Sequence, residues 1–302
     1  MSFTREIKDE VSKIETSNTE EISELSGIIS TIPIKNNITI KTENNSVARR
    51  IYTLFKNIYN IHPKITVRRG YNYNKKLIYI ISVNDRTEYI LKDLGISKDK
   101  IENFITSDDE LTRAFLRGVF LLSGSINDPK TSRYHLEFNL TNKMVSNFIS
   151  KLLNQYNLNS KVLHRNNNYM VYIKEAEKIS DFLRMIGSYN GVLYFEDIRI
   201  YRDHKNMTNR LNNCEQANIE KTIETATNQV KDIELIKEKC GLEILSQKEQ
   251  TAAQYRLKYN EASLTELAEI ITLETNEKIT KSGLYHRFKK IKNLANKLKN
   301  KN

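Results

Sequence analysis

Cysteine is scarce in this chain of 302 residues, and the two that it has, Cys214 and Cys240, offer no disulfide framework and no metal-ligand spacing. Long apolar runs are also missing, because none approaches the ~20 residues that a membrane helix needs. The N-terminal stretch MSFTREIKDEVSKIE lacks the apolar core of a signal peptide. These absences predict a cytoplasmic protein without a membrane partner.

Signatures of catalysis are missing as well. The sequence has no Walker-type or dinucleotide-binding glycine loop. Ser123, Ser125 and His135 do not form a recognisable catalytic triad. We therefore expect no cofactor and no metal, because the five histidines are scattered without ligand spacing: His62, His135, His164, His204 and His286.

Positive charge is present, but it is unevenly distributed. The formal net charge is +11. Residues 278–302 alone contain nine basic and no acidic side chains, whereas residues 201–277 carry a net charge of −4. Such a concentration predicts a polyanionic partner, with a solvated helix face or a disordered tail as the alternative.

The first 200 residues read as two copies of one pattern, over about 17–95 and 107–196. Each half predicts a helix, a strand, a second helix, two strands and a closing helix. Shifting the sequence by 91 residues places Leu25 on Leu116 and Gly27 on Gly118. In the first half, strands over 64–70 and 76–83 are joined by a predicted turn at 71–74. An internal repeat of this length indicates duplicated half-domains.

The leading helices of the two halves, over 18–31 and 108–123, have small residues at four-residue spacing. The pairs are Ser23 with Gly27 and Ala114 with Gly118. A glycine inside a helix costs about 1 kcal/mol relative to alanine, so it needs a reason. Small residues let two helices approach closely, which predicts that these helices pack face to face across a pseudo-twofold axis.

Local signals predict how these helices start and stop. Capping boxes at Ser17 and Ser107 would open the two leading helices. A glycine-serine turn at Gly124 and Ser125 would end the second one. Residues 198–241 are predicted to be a polar, Asn-rich connector followed by a helix. The apolar stripe for docking that helix would be Ile219, Ile223, Ala226, Val230 and Ile233.

The C-terminal residues predict a compact unit of three helices. The first helix covers 247–258, and a capping box at Ser263 opens the second helix, which ends at Ile271. Thr280 is the expected N-cap of the last helix, which continues to Ala295. The stretch 273–280 is longer than a usual tight turn. The expected buried stripe of the last helix is Leu284, Phe288, Ile291 and Ala295.

Three short helices of which the last is basic are typical of a helix-turn-helix that binds double-stranded DNA. The first turns of the recognition helix reach base edges, and flanking lysines neutralise phosphates. A three-helix interaction module with a solvated basic face is the alternative. The predicted DNA-binding residues include Thr280 at the start of the helix, Lys281, Ser282, Tyr285, His286 and Arg287 near the bases, and Lys289, Lys290 and Lys292 on phosphates.

The stretches LSGIISTIP (25–33) and LRGVFLLSG (116–124) resemble the helix that names the LAGLIDADG homing endonucleases. The resemblance implies an α+β, duplicated, pseudo-symmetric domain. Those enzymes hold divalent metal with one carboxylate at the foot of each helix. Ile32 and Ser123 occupy those positions here, so the resemblance implies that the nuclease ligands are lost. Acids that could substitute for them are Asp108, Asp109, Glu110, Asp128 and Glu137.

Three longer stretches carry a further resemblance: FLRGVFLLSGSINDPKTSRYHLEF, NRLNNCEQANIEKT, and ASLTELAEI with ITKSGLYHRFKKI. Through these stretches, the domain together with the C-terminal helices resembles the WhiA family of bacterial regulators. The resemblance implies a degenerate LAGLIDADG-like domain over 1–200, a helical linker over 201–245 and an all-α helix-turn-helix domain over 246–302.

The resemblance to the WhiA family also implies a function. It indicates a nucleoid-associated, non-enzymatic transcription regulator of cell division, chromosome segregation or sporulation, with protein partners in transcription or division. An endonuclease using other acids, and a ligand- or protein-interaction module with secondary DNA binding, are the alternatives. The oligomeric state stays open.

Overall fold

The computed structural model describes residues 2–33, 37–69, 77–97, 100–131, 133–165 and 167–299. The chain forms two compact units, residues 1–203 and 204–302. Each unit has a buried apolar core of its own. The turn predicted at 71–74 lies outside the described residues.

The first half of unit 1 contains the predicted helices and strands in the predicted order, preceded by a short amphipathic helix. Three apolar residues of that first helix, Phe3, Ile7 and Val11, are buried at helical spacing. The elements are α1 (Phe3–Val11), α2 (Asn18–Ser30), β1 (Ile38–Thr42), α3 (Asn45–Tyr59), β2 (Lys64–Arg69), β3 (Leu77–Val83) and α4 (Thr87–Asp93).

The second half repeats this order, with one additional strand. Its apolar periodicity predicts a helix over 143–155 and a strand over 161–165, and α6 and β6 have these bounds. The elements are α5 (Asp109–Ser123), β4 (Gly124–Ile126), β5 (Leu136–Leu140), α6 (Lys143–Gln155), β6 (Lys161–Arg165), β7 (Asn168–Ile173) and α7 (Ala176–Met185).

The two antiparallel sheets have matching topologies. One has the strand order β1-β3-β2, and the other has β4-β5-β7-β6. Strands β5, β6 and β7 therefore occupy the places of β1, β2 and β3. Opposite residues share a face, and the pairs Ile40 with Ile81 and Phe138 with Val171 are buried. The predicted duplication of an α+β half-domain is confirmed.

Helices α2 and α5 pack against each other through the predicted glycines. A Cβ atom on Gly27 would overlap the carbonyl oxygen of Phe115. A Cβ atom on Gly118 would overlap the carbonyl oxygen of Glu24 in the same way. This reciprocity is what a pseudo-twofold axis between the helices requires, and it explains why both helices accept the propensity cost of glycine.

The ends of these two helices differ from the predictions in two places. The capping box at Ser17 is confirmed, but the one predicted at Ser107 is wrong. Asp108 is the N-cap of α5 instead, because its carboxylate accepts a hydrogen bond from the Leu111 backbone N–H at 2.9 Å.

The predicted turn at Gly124 and Ser125 is also wrong. Strand β4 follows α5 directly and pairs with β5. Gly124 has the extended values φ −80° and ψ 145°, and a Cβ atom there would overlap the Phe120 ring. The glycine thus permits a close approach to the helix that precedes it and makes no turn.

Helix α8 (Tyr189–Cys240) is a single helix of 52 residues, so the prediction that a helix begins only after the Asn-rich part is wrong. No proline or glycine occurs after Gly191 within it, and without a breaker the helix continues through the Asn-rich part. The docking stripe is confirmed only in its later members. Ile219 and Ile223 are 59% and 45% exposed, whereas Ala226 and Ile233 are buried.

Unit 2 packs three further helices around a small apolar core. Ile233 and Ile236, near the end of α8, belong to this core together with residues of all three helices. The helices are α9 (Gln247–Lys258), α10 (Leu264–Thr275) and α11 (Lys281–Lys299).

Candidate nucleic-acid interface

Helices α10 and α11 form the helix-turn-helix of unit 2. The capping box at Ser263 opens α10 as predicted, and hydrogen bonds from the Ser263 backbone N–H and hydroxyl lower the pKa of Glu266. The helix continues past the predicted end at Ile271. It stops where Asn276 adopts left-handed backbone angles, with φ 54°. The connecting turn therefore covers residues 276–280 and is shorter than the predicted stretch 273–280.

Side-chain hydroxyls fix this turn at both of its ends. The Ile279 backbone N–H donates to Thr272 Oγ1 at 3.2 Å. The Gly283 backbone N–H donates to Thr280 Oγ1, also at 3.2 Å. Thr280 is therefore the N-cap of α11, as the sequence predicts, and its hydroxyl oxygen accepts the capping hydrogen bond.

Helix α11 has one buried face and one exposed cationic face. Its predicted apolar stripe is buried, with Leu284, Phe288, Ile291 and Ala295 each at most 4% exposed. The helix carries seven lysine and arginine residues and no acid. The predicted contact residues on its exposed surface are Lys281, Ser282, Tyr285, His286, Lys289 and Lys292.

Two of the predicted contact residues have partners on α9. Arg287 Nη1 donates to the Lys248 carbonyl oxygen at 3.3 Å. Lys290 Nζ lies 3.6 Å from a Glu249 carboxylate oxygen, although the lysine itself is 74% exposed. Both side chains therefore help to hold α11 against α9. Lys281, Lys289 and Lys292 have no carboxylate partner within the described part of the chain.

Arg256 is a residue of this unit that the sequence analysis missed. Its side chain is 1% exposed, and burial lowers its pKa. Nη1 donates to the carbonyl oxygens of Tyr259 and Ala262, and the guanidinium lies 5.5 Å from the centre of the Phe288 ring. Arg256 thus ties the α9–α10 loop to α11. The sequence does contain one indication of this burial: Arg256 follows Ala252 by four residues, which places both on the same face of α9.

The ends of the paired helices in unit 1 meet at one cleft. Ile32 and Ser123, which replace the metal-binding acids of the endonuclease motif, both line this cleft of about 950 Å³. The Ser123 hydroxyl donates to the Val119 carbonyl oxygen at 2.8 Å. No carboxylate occurs among the described lining residues, which also include Thr31, Pro33, Asn37, Thr39, Lys41, Leu122 and Asn139.

None of the five acids that could substitute for the metal-binding acids is among the described lining residues of this cleft, and four of the five have structural partners. Asp108 caps α5, and Asp109 accepts a hydrogen bond from the Tyr156 hydroxyl at 2.7 Å. Asp128 accepts one from the Lys130 backbone N–H at 2.9 Å. Glu137 lies 3.0 Å from His135 Nε2. Glu110 is exposed in the first turn of α5.

Within the described residues, no group of three or more histidine, cysteine, aspartate or glutamate side chains is arranged to hold a metal ion. None of the helices in those parts of the chain has the length and apolar character needed to span a bilayer.

A duplicated α+β domain with paired glycine-bearing helices, followed by a helix-turn-helix, defines a class of LAGLIDADG-like DNA-binding architectures. Family models match three consecutive parts of the chain. They describe a WhiA N-terminal LAGLIDADG-like domain (residues 22–97), a WhiA LAGLIDADG-like domain (112–205) and a WhiA C-terminal HTH domain (208–295). The chain belongs to the WhiA family.

Individual relatives agree with this assignment over nearly the full length. A Staphylococcus aureus protein named "Probable cell division protein WhiA" is 42% identical over 99% of this chain and 98% of its own. The full-length DUF199/WhiA structure from Thermatoga maritima superposes with a TM-score of 0.60 at 30% identity, covering 98% of this chain and 99% of that one. A structure of the N-terminal LAGLIDADG domain of DUF199/WhiA has a TM-score of 0.51 at 29% identity, covering 62% of this chain and 90% of that one.

Proposed function

We propose that the protein is a sequence-specific, double-stranded DNA-binding regulator that reads its site with α11. The exposed cationic face of this helix, on a capped helix-turn-helix, is the observation that carries the proposal. A recognition helix inserts its first turns into the major groove, and cations further along reach the backbone. Acidic side chains, which would repel phosphate, are absent from the helix.

The residues of α11 divide into two roles. Lys281, Ser282, Tyr285 and His286 lie in the first two turns, where side chains reach base edges. Lys289 and Lys292 contact phosphates. Thr280, Arg287 and Lys290 act mainly by positioning the helix, since their polar groups contact its own turn or α9.

The protein does not act as a nuclease in this proposal. Metal-dependent cleavage of DNA needs carboxylates that hold cations at the scissile phosphates. The cleft at the feet of α2 and α5 has Ile32 and Ser123 in those places, and its described lining contains no acid. The acids nearby in sequence are used for caps and hydrogen bonds.

The cellular role comes from the relatives. The Staphylococcus aureus relative is named a cell division protein, and we extend that role to this chain. Regulation of transcription is the activity that a helix-turn-helix would supply, at genes for cell division, chromosome segregation or sporulation. Association with the nucleoid and with protein partners in transcription or division follows from that role.

The phosphate contacts are tested with Lys289→Ala. Each phosphate contact removed should reduce the slope of log affinity against log salt by about 1, because one fewer counterion is released. Fluorescence anisotropy of a labelled duplex, from genomic sites bound by the full chain, measures the slope. Lys151→Ala is the matched control, because Lys151 is an exposed helical lysine of unit 1. An unchanged slope for Lys289→Ala would contradict the phosphate role.

The absence of nuclease activity has its own test. We expect supercoiled plasmid to stay intact with Mg²⁺ or Mn²⁺ at protein concentrations that saturate the DNA. Cleavage that is abolished by Asp128→Ala or Glu137→Ala would assign the protein to the endonucleases instead. Gel electrophoresis of the plasmid distinguishes the outcomes, and the double variant controls for contaminating nuclease.

A further inference from the structure

A second cleft of unit 1, about 450 Å³ in volume, lies where α1 and α3 begin. It is separate from the helix-turn-helix, so an inference about it stands independently of the proposed function. Its described lining contains three cationic side chains, Arg5, Lys8 and Lys41, and one carboxylate, Glu43. At neutral pH the described lining therefore carries a formal excess of two positive charges, although Arg5 Nε also lies 4.0 Å from the carboxylate of Asp9, which is not a lining residue.

Lys8 is the most unusual of these cations. It is largely buried, and its ammonium lies 5.6 Å from the centre of the Phe120 ring. No carboxylate pairs with it within the described part of the chain, and burial lowers its pKa to about 8. A buried ammonium without a counterion is costly, because desolvation is repaid only by a nearby negative charge or by hydrogen bonds.

Asn44 supplies an independent observation on the same cleft. The side chain is 7% exposed, and its Oδ1 accepts a hydrogen bond from the Val47 backbone N–H at 3.2 Å. That bond fixes the orientation of the amide, so the remaining group is the donor Nδ2. In the described structure this buried Nδ2 has no hydrogen-bond acceptor. Buried donors without acceptors are rare in folded proteins and call for a partner.

The helix ends add to the same electrostatic character. Ser2 is the N-cap of α1 and makes no side-chain capping bond, and Asn44 is the N-cap of α3. Both residues line the cleft. The partial positive charges of two helix N-termini therefore meet there, in addition to the three cations.

We propose that this cleft binds a small phosphorylated molecule through its phosphate group. A phosphate offers several acceptor oxygens and a charge near −2, which matches both the surplus of donors and the net charge of the lining. The anion would supply the counterion that Lys8 lacks. A carboxylate would satisfy fewer donors and leave positive charge uncompensated.

Calorimetric titration of the full chain with pyrophosphate tests the site. We expect saturable binding of one equivalent that is weakened at least about tenfold in Lys8→Met, which keeps an apolar stem against Phe120 but removes the charge. Arg5→Gln should weaken binding too, and because Arg5 is half-exposed it keeps the test open if Lys8→Met misfolds. Lys13→Met is the matched control, since Lys13 is an exposed lysine just beyond α1 that lines a different cleft.

Duplex DNA also carries phosphate groups, so a separate binding measurement must distinguish it from a small phosphorylated molecule. Anisotropy of a labelled duplex should give the same affinity for the wild type and for Lys8→Met. If Lys8→Met instead weakens duplex binding while pyrophosphate does not bind, the cleft contacts the DNA backbone and the proposal is overturned. Absent pyrophosphate binding, or binding that is equal in all variants, overturns it as well.

Discussion

Glu24 is a fully buried carboxylate in α2 that holds two arginines. Arg50 donates to it through Nε and Nη2, each at 2.9 Å, and Arg117 donates through Nε at 3.0 Å. Arg50 lies on α3 and Arg117 on α5, so one side chain joins three helices. Both guanidiniums are less than a tenth exposed. Removing one charged partner from such a buried network is strongly destabilising, because the remaining charges lose the group that compensates them.

Glu24→Gln should destabilise unit 1 by about 3 kcal/mol, because it removes the carboxylate to which both buried arginines are hydrogen-bonded and leaves Arg117 only the more distant Glu20 carboxylate, 4.0 Å from its Nη2. Urea unfolding of the full chain measures this, with hydrogen exchange of α2 and α5 assigning the transition to unit 1. Glu6→Gln, at an exposed glutamate of α1, should stay within about 0.5 kcal/mol of the wild type. A similarly small effect for Glu24→Gln would mean that the ion pairs of Glu24 with Arg50 and Arg117 contribute little to the stability of unit 1.

At the residue scale, sequence reasoning succeeded where a side chain acts on its own backbone. The caps at Ser17, Ser263 and Thr280 depend on local spacing, and the structure contains all three. Glu24 and Arg256 could not be identified in this way. Their importance comes from partners far along the chain or from a loop that closes over them. A charged residue on a buried helix face is the only sign in the sequence of such a network.

At the element scale, α5 and α11 each contain a glycine, and the space around the two glycines differs. Gly118 faces the backbone of α2, where a Cβ atom would overlap the Glu24 carbonyl oxygen. Gly283 has open surroundings, because a Cβ atom there would meet only Thr280 Oγ1, at an ordinary 3.4 Å. Neither residue has the positive φ that would itself favour glycine.

The same substitution should therefore change stability in opposite directions at these two positions. Gly118→Ala should destabilise unit 1 by about 1–3 kcal/mol, since the overlap exceeds the gain in helix propensity. Gly283→Ala should stabilise unit 2 by up to about 1 kcal/mol. Hydrogen exchange of α5 and α11 measures each change within its own unit. Equal effects of both variants would contradict the close packing of α2 against α5.

Regular periodicity explains which elements could be predicted. Helix α6 and strand β6 have clear apolar patterns and begin and end where expected. Helix α8 was predicted only in part because its Asn-rich section has no apolar face to reveal a helix. Residues 203–218 of α8, which precede the predicted apolar stripe, are all exposed, so packing imposes no apolar periodicity on that part of the sequence.

At the scale of the whole molecule, the chain consists of two units with separate cores, and α8 contributes residues to both. The predicted division at residues 200 and 245 stays a prediction. The core of unit 2 determines where the chain can be truncated without loss of stability, because Ile233 and Ile236 of α8 are fully buried in that core. Asp232 also accepts a hydrogen bond from Lys299 Nζ at 2.8 Å, joining α8 to the last helix.

A fragment of residues 225–302 should therefore fold, whereas one of residues 246–302 should be several kcal/mol less stable. Burying an isoleucine side chain stabilises a fold by about 1.5–3 kcal/mol, and the shorter fragment loses two of them. Circular dichroism melts compare the two, with 204–302 as the control, because residues 204–225 are exposed apart from the partly buried Thr222 and should add little stability.

If α11 reads the DNA, the 225–302 fragment should also bind the duplex nearly as tightly as the full chain. Equal melting of all three fragments would show that α8 is dispensable to the DNA-binding unit, and a weak duplex affinity of a folded 225–302 fragment would transfer the main DNA contacts to unit 1.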